Sequence, residues 1–203
     1  MVDRSVFSGR TLVYGPPASG KNFLALDLAM TMARAAVEPS APSLWFRQPI
    51  PRSQATLVTD DSVDVRRYRM KAWALRNGAV LADLPVFFAV LPAPTELRSA
   101  AQRAHFFQSL PAGPLIVTAP VVENSTLRGA DRMVDLISEF DAWVSVNGSE
   151  GGRLNNWNIA RGRLPFSYQR RYFRLRPFES GVDDDGPVSS CYVEPILWSR
   201  ADG

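Results

Sequence analysis

The stretch Gly15-Pro16-Pro17-Ala18-Ser19-Gly20-Lys21-Asn22 constrains this chain more than any other. It fits the spacing G-x-x-x-x-G-K and lies between a short apolar run, Thr11 to Tyr14, and a longer segment, Phe23 to Ala36. Two prolines and two glycines keep a helix from running through the turn. After it, Phe23, Leu24, Leu26, Leu28, Met30 and Met32 recur at helical spacings. Strand, loop, helix is the order in which successive backbone N–H groups wrap an anion while the helix N-terminus adds its dipole. Residues 15–22 are therefore expected to cradle phosphates as a P-loop, with Lys21 reaching the terminal ones. The bland alternative is a loop kept as scaffold that binds nothing. Asn22 stands where a Ser or Thr hydroxyl would ligate Mg²⁺. An amide oxygen can hold a hard cation, but its NH₂ group must turn away, so magnesium binding is expected to be weak or altered.

Strand-like and helix-like segments alternate beyond the turn. Glu38 to Pro51 holds four prolines around Trp45 and Phe46 and is expected to be an extended connection. Ala55 to Thr59 reads as a second strand that runs into Asp60-Asp61, and Val63 to Asn77 as a helix closed by Gly78. Val86 to Leu91 and Pro114 to Thr118 read as strands, Thr95 to Ser109 and Leu127 to Phe140 as helices. This alternation predicts an α/β fold with a mainly parallel sheet flanked by helices. From Trp143 onward the segments Trp143 to Asn147, Trp157 to Ala160 and Tyr172 to Leu175 predict antiparallel C-terminal edge strands. Glu179 to Pro187 reads as a solvated loop before a final strand around Cys191 to Val193. With no repeat or linker, residues 1–203 are expected to form one domain, an α/β core over 1–142 and a β-rich edge over 143–203.

Composition narrows the chemistry. A chain of 203 residues, 46% hydrophobic, can bury one sizeable core. Lys21 and Lys71 are the only lysines among 23 basic residues, and the net charge of +3 permits a polyanionic partner without requiring one. Cys191 stands alone, which rules out an intrachain disulfide and fits a reducing, cytoplasmic compartment. His105, the single histidine, reads as a partly buried helix residue. No run approaches the roughly 18 apolar residues of a membrane span, so no membrane partner is expected.

The run Leu12-Val13-Tyr14-Gly15 through Lys21-Asn22-Phe23-Leu24-Ala25-Leu26-Asp27-Leu28-Ala29 resembles the P-loop segment of RepA-type replicative helicases and their RecA/KaiC-like relatives. Trp45-Phe46, then Ala55 to Asp61, resembles the family's connection into its second strand, and Arg69-Met70-Lys71-Ala72-Trp73 resembles a string on its next helix. The resemblance covers about the first 120 residues and implies a RecA-like P-loop NTPase fold, with ATP or ADP as the ligand. It places Asp60, one methylene shorter than the family's Glu, at the position that polarises the attacking water. A helix N-terminal acidic pair explains Asp60-Asp61 equally well.

Two departures touch one metal site. The family carries an Asp after its fourth strand, where this chain has Ala119, and Asn22 lacks the hydroxyl. The family's following strand, usually ending in a His pair, has no evident counterpart, so the resemblance implies a degenerate and shortened member. Arg161-Gly162-Arg163 resembles the family's late-strand Lys-x-Arg, which makes Arg161 and Arg163 inter-subunit finger residues in a homo-oligomer or with a related ATPase subunit. An exposed basic turn is the competing reading. Arg170 and Arg171 with Tyr168, Tyr172 and Phe173 make a basic, aromatic-interleaved strand suited to stacking on single-stranded DNA. Edge-strand alternation explains that pattern as well.

Three functions remain open on the sequence. The leading one is a RepA-like pseudo-ATPase that binds nucleotide, hydrolyses it poorly with Mg²⁺ weak or absent, and serves a regulatory or structural role in DNA replication or a mobile element. The second is an active oligomeric DNA-dependent ATPase or helicase. The third is a single-stranded DNA-binding module that no longer binds nucleotide.

Overall fold

Strand alternation sorts the core into two layers. In β1 (Arg10–Gly15) Val13 enters one apolar cluster and Leu12 the other. Leu57 and Val58 of β4 (Ala55–Thr59), and Ile116 and Val117 of β6 (Leu115–Pro120), divide the same way. The computed structural model describes residues 5–90, 92, 99–120, 139–148, 154–161, 170–183 and 186–196. Among these, α1 (Lys21–Val37) and α2 (Val63–Asn77) supply Leu24, Leu28, Met32 and Trp73 to the first cluster. Phe107 of α3 (Ala100–Ser109) enters the second, which covers the opposite face.

The larger sheet has eight strands in the order β10-β9-β8-β7-β1-β6-β4-β5. Its core is parallel, with β1 between β6 and β7 (Ala142–Asn147), and β4 between β6 and β5 (Val86–Val90). Then β8 (Asn155–Arg161), β9 (Arg171–Asp183) and β10 (Gly186–Ile196) follow antiparallel. The sheet curls, so that β10 lies against α1 and α2 although it is the strand farthest from β5. Phe173 of β9 and Val193 of β10 thereby join the cluster around Val13 and Leu24. Between α1 and β4, a two-stranded hairpin of β2 (Leu44–Trp45) and β3 (Gln48–Pro49) buries Trp45 and Phe46.

Several expectations need revision. The strand Ala142–Asn147 is parallel to β1 and belongs to the core, so antiparallel pairing begins only at β8. It is also a fifth parallel strand beside the P-loop strand, ending in Asn147, where the sequence reading found no counterpart. Glu179 to Asp183 completes β9 and Gly186 opens β10, replacing the expected solvated loop with a long hairpin whose partners run from Gly186 opposite Asp183 to Ile196 opposite Tyr172. Helix α3 starts at Ala100, because Ser99 caps it reciprocally with Gln102, and residues 95–98 lie outside the described part. His105 is exposed on that helix. Of the expected helix Leu127 to Phe140, residues 127–138 lie outside the described residues. Among the described residues no helix is long and apolar enough to cross a membrane.

Candidate functional site

The loop after β1 is a true turn. The Ser19 N–H donates to the Pro16 carbonyl at 3.3 Å, and Ala18 and Gly20 take positive φ of 58° and 83°. Left-handed residues among right-handed ones turn successive N–H groups toward one side, the geometry of an anion-binding nest. Helix α1 begins at Lys21 with Gly20 as its N-cap and no side-chain cap, and its first internal bond runs from the Leu24 N–H to the Gly20 carbonyl at 3.0 Å. The preceding N–H groups of that turn are left for a ligand. Lys21 is half-buried and has no hydrogen-bond or ion-pair partner among the described residues. The Ser19 hydroxyl is buried, also without a partner.

Neighbouring strands hold this loop from behind. A Cβ on Gly15 would lie 2.3 Å from the Val146 carbonyl oxygen of β7, and one on Gly20 would lie 3.2 Å from both the Asn155 amide of β8 and the Phe173 ring of β9. The curled edge of the sheet therefore packs directly on the turn.

Asn22 points its Nδ2 at the end of β4. It donates to Asp60 Oδ1 at 3.2 Å and to Asp61 Oδ1 at 2.9 Å, while its own Oδ1 is buried without a hydrogen-bond partner among the described residues. Asp61 is ion-paired with Arg69, whose guanidinium lies 4.2 Å from the centroid of the Phe23 ring. On the other flank the register places Tyr14 beside Ala119 and Gly15 beside Pro120, so among the described residues the end of β6 next to the loop offers no carboxylate. These residues do not fit Mg²⁺. The nitrogen of Asn22, not its oxygen, faces the acidic pair, and a cation between them would meet a hydrogen-bond donor. They do fit the phosphates of a nucleotide, through Gly15 to Asn22 and the free ammonium of Lys21.

The other sequence-derived residues fall at varied distances from this centre. Asp60 is exposed at its edge. Because β8 runs antiparallel, Asn155 lies at the loop end and Arg161, opposite Trp143, at the far end of the sheet from its own P-loop. Arg163 is outside the described residues. Arg170 is exposed, Tyr172 is half-buried, and the Arg171 guanidinium lies 5.0 Å from the centroid of Trp157, where burial lowers its pKa.

One group escaped the sequence reading. Asp27 of α1 accepts hydrogen bonds from the indole N–H of Trp45 at 2.7 Å and of Trp73 at 2.8 Å. Burial pushes its carboxyl up to about 6, outweighing the two indole donors that lower it. Trp45 in turn stacks on Trp157 at 4.7 Å between centroids, so an aromatic chain links the P-loop helix to β8. The available signal was a lone carboxylate inside the apolar string of α1, with two tryptophans elsewhere to serve as donors.

A parallel core with the phosphate loop after its central strand, continued by antiparallel edge strands, is the RecA-like P-loop ATPase fold. The chain is similar to the RadB recombinase structure, with a TM-score of 0.52 at 16% identity over 84% of this chain and 89% of that one. It is also similar to the flagellar accessory protein FlaH from Methanocaldococcus jannaschii, with a TM-score of 0.49 at 12% identity over 92% of this chain and 89% of that one. No protein-family model and no curated protein matches the chain.

Proposed function

We propose that this chain is a RepA-like P-loop protein that binds ATP or ADP through residues 15–22 but is impaired in Mg²⁺-dependent hydrolysis, and that it serves a regulatory or structural role in DNA replication or a mobile element. The supporting observation is the hydrogen bonding of Asn22 to Asp60 and Asp61, which puts an amide donor between the P-loop and the acids that a metal would bridge. Ala119 beside the loop supports the same reading. Purified protein with ATP, Mg²⁺ and single-stranded DNA should show no phosphate release above background, while titration in EDTA should show nucleotide binding that Lys21→Ala removes. Turnover that depends on Lys21 would overturn the proposal.

A second reading is an oligomeric ATPase, supported by the register of Arg161 opposite Trp143, at the far end of the sheet from its own loop. Mass photometry with and without ATP separates the two. Ring-sized particles that form with ATP favour the motor, whereas a species indifferent to nucleotide favours the pseudo-ATPase.

A further inference from the structure

Side chains alternate across the β9–β10 hairpin, and its two faces differ in kind. Phe173, Leu175 and Val193 point inward and pack with the cluster around Leu24. On the other face the register sets Tyr172 opposite Ile196, Arg174 opposite Glu194, Arg176 opposite Tyr192 and Phe178 opposite Ser190. Arg174 and Arg176 are exposed there, and the rings of Tyr172, Phe178 and Tyr192 are half-buried. Charge alone would guard a sheet edge against aggregation, and it would not call for rings between the arginines.

Rings and cations on this face are in contact. The Tyr192 ring meets Phe178 edge-to-face with centroids 6.2 Å apart, and the Arg76 guanidinium of α2 lies 5.1 Å from the Tyr192 centroid. Glu194, the one acid in the four cross-strand pairs, is ion-paired with Arg176 at 2.7 Å. Arg174, Arg76 and the exposed Arg170 just before β9 therefore leave the face net positive. Arg171 takes no part, because its guanidinium lies on the inward side over Trp157.

From Tyr172 to Phe178 the face runs roughly 20 Å, at about 3.3 Å per residue. A row of that length suits a chain of repeating charges and planar groups better than a single small anion. Phosphates along a strand would meet the guanidiniums, and bases would stack on the rings, which requires base faces that are not already stacked in a helix. A duplex offers the phosphates without those faces. An acidic peptide or an anionic lipid surface offers charge without a planar group for each ring.

We propose that the outward face of β9–β10, together with Arg76, binds single-stranded nucleic acid, with Tyr172 and Tyr192 stacking on bases and Arg174, Arg176 and Arg76 meeting phosphates. The inference goes beyond the nucleotide-binding reading, and none of the observations that carry it comes from residues 15–22.

The test is fluorescence anisotropy of a labelled oligothymidylate of about 20 nucleotides with the full chain in EDTA, beside a duplex of equal length. The single strand should bind more tightly than the duplex, and its affinity should fall as salt rises. Arg174→Ala should make that salt dependence shallower, whereas Tyr192→Ala should weaken binding about tenfold at every salt concentration and leave the slope unchanged. Tyr192→Phe keeps the ring and should bind like the natural chain. An oligouridylate should bind as the oligothymidylate does, since rings and guanidiniums address bases and phosphates; binding confined to one sugar would overturn that mode of recognition. Absence of binding at low salt, preference for the duplex, or natural affinity in Tyr192→Ala would overturn the proposal. Each variant should also melt like the natural chain and retain its affinity for the fluorescent nucleotide mant-ADP. Failure of strand binding alone then counts against this face, and failure of mant-ADP binding alone counts against the phosphate loop.

Discussion

The indole N–H of Trp73 meets a carboxylate oxygen of Asp27 at 2.8 Å across 46 positions of sequence, while the other oxygen takes the indole N–H of Trp45 at 2.7 Å. A single side chain thus ties α1 to α2 and to the β2–β3 hairpin. The same burial that makes these bonds strong raises the carboxyl from 3.8 to about 6.

Between those two values the folded protein holds the proton and the unfolded chain has released it, so folding is favoured by acid over this window. Stability from Asp27 is fully present below about pH 4 and is lost as pH rises through about 6, a swing of roughly 2–3 kcal/mol. Urea denaturation at a series of pH values should show this fall, and Asp27→Asn should flatten it. An unchanged pH slope in the variant would show that Asp27 does not titrate as described. Trp73→Phe removes one donor to the anion and should move the midpoint still higher.

A methyl group on Gly15 has nowhere to go. Its Cβ would sit 2.3 Å from the Val146 carbonyl oxygen, part of a central strand paired on both sides and unable to retreat cheaply. Gly15→Ala should lower stability by about 2–4 kcal/mol and, on the proposed function, remove nucleotide binding with it. The melting temperature read by circular dichroism checks the first effect, and the titration checks the second. Wild-type melting would mean that the loop and β7 are not held this closely.

The turn of the β2–β3 hairpin carries strain that can be relieved. Phe46 and Arg47 both take positive φ, 47° and 61°, in a two-residue connection of the kind that favours Asn-Gly. The Phe46 ring packs against Trp45 and Trp157, so its side chain is needed, but Arg47 is exposed. Arg47→Gly is therefore expected to raise stability by roughly 0.5–1 kcal/mol in chemical denaturation. A loss of stability would argue that the turn adopts another conformation in solution.

Legibility in the sequence followed locality. Ala55–Thr59 and Val63–Asn77 match their expected bounds because their signals are self-contained: an apolar run, then a helical face capped by Ser62 and closed by Gly78 at φ 62°. The turn between β1 and α1 was legible for the same reason, since the glycines and prolines of residues 15–22 are consecutive. The direction of Ala142–Asn147 was not, because parallel or antiparallel pairing is a property of the neighbour and not of the strand. The extent of the β9–β10 hairpin was hidden by Pro177, Glu179, Gly181 and Asp183, which read as loop residues but are tolerated at a sheet edge. The Asp27 clamp was hidden differently, since its partners are distant in sequence and neither tryptophan announces a hydrogen bond. The contact of Asn22 with Asp60 and Asp61 was also invisible, although each residue had been singled out for another reason.

The curl that brings β10 back onto α1 and α2 has a bearing on how the chain matures. Phe7, Val13 and Leu24 share one buried cluster with Phe173 and Val193, so the turn after β1 receives its walls from strands that leave the ribosome long after it. A partly synthesised chain holds the loop's whole sequence yet lacks the Phe173 ring and the Asn155 amide that fix its curvature. The turn therefore takes its final curvature only after those strands have been made and have folded back onto it.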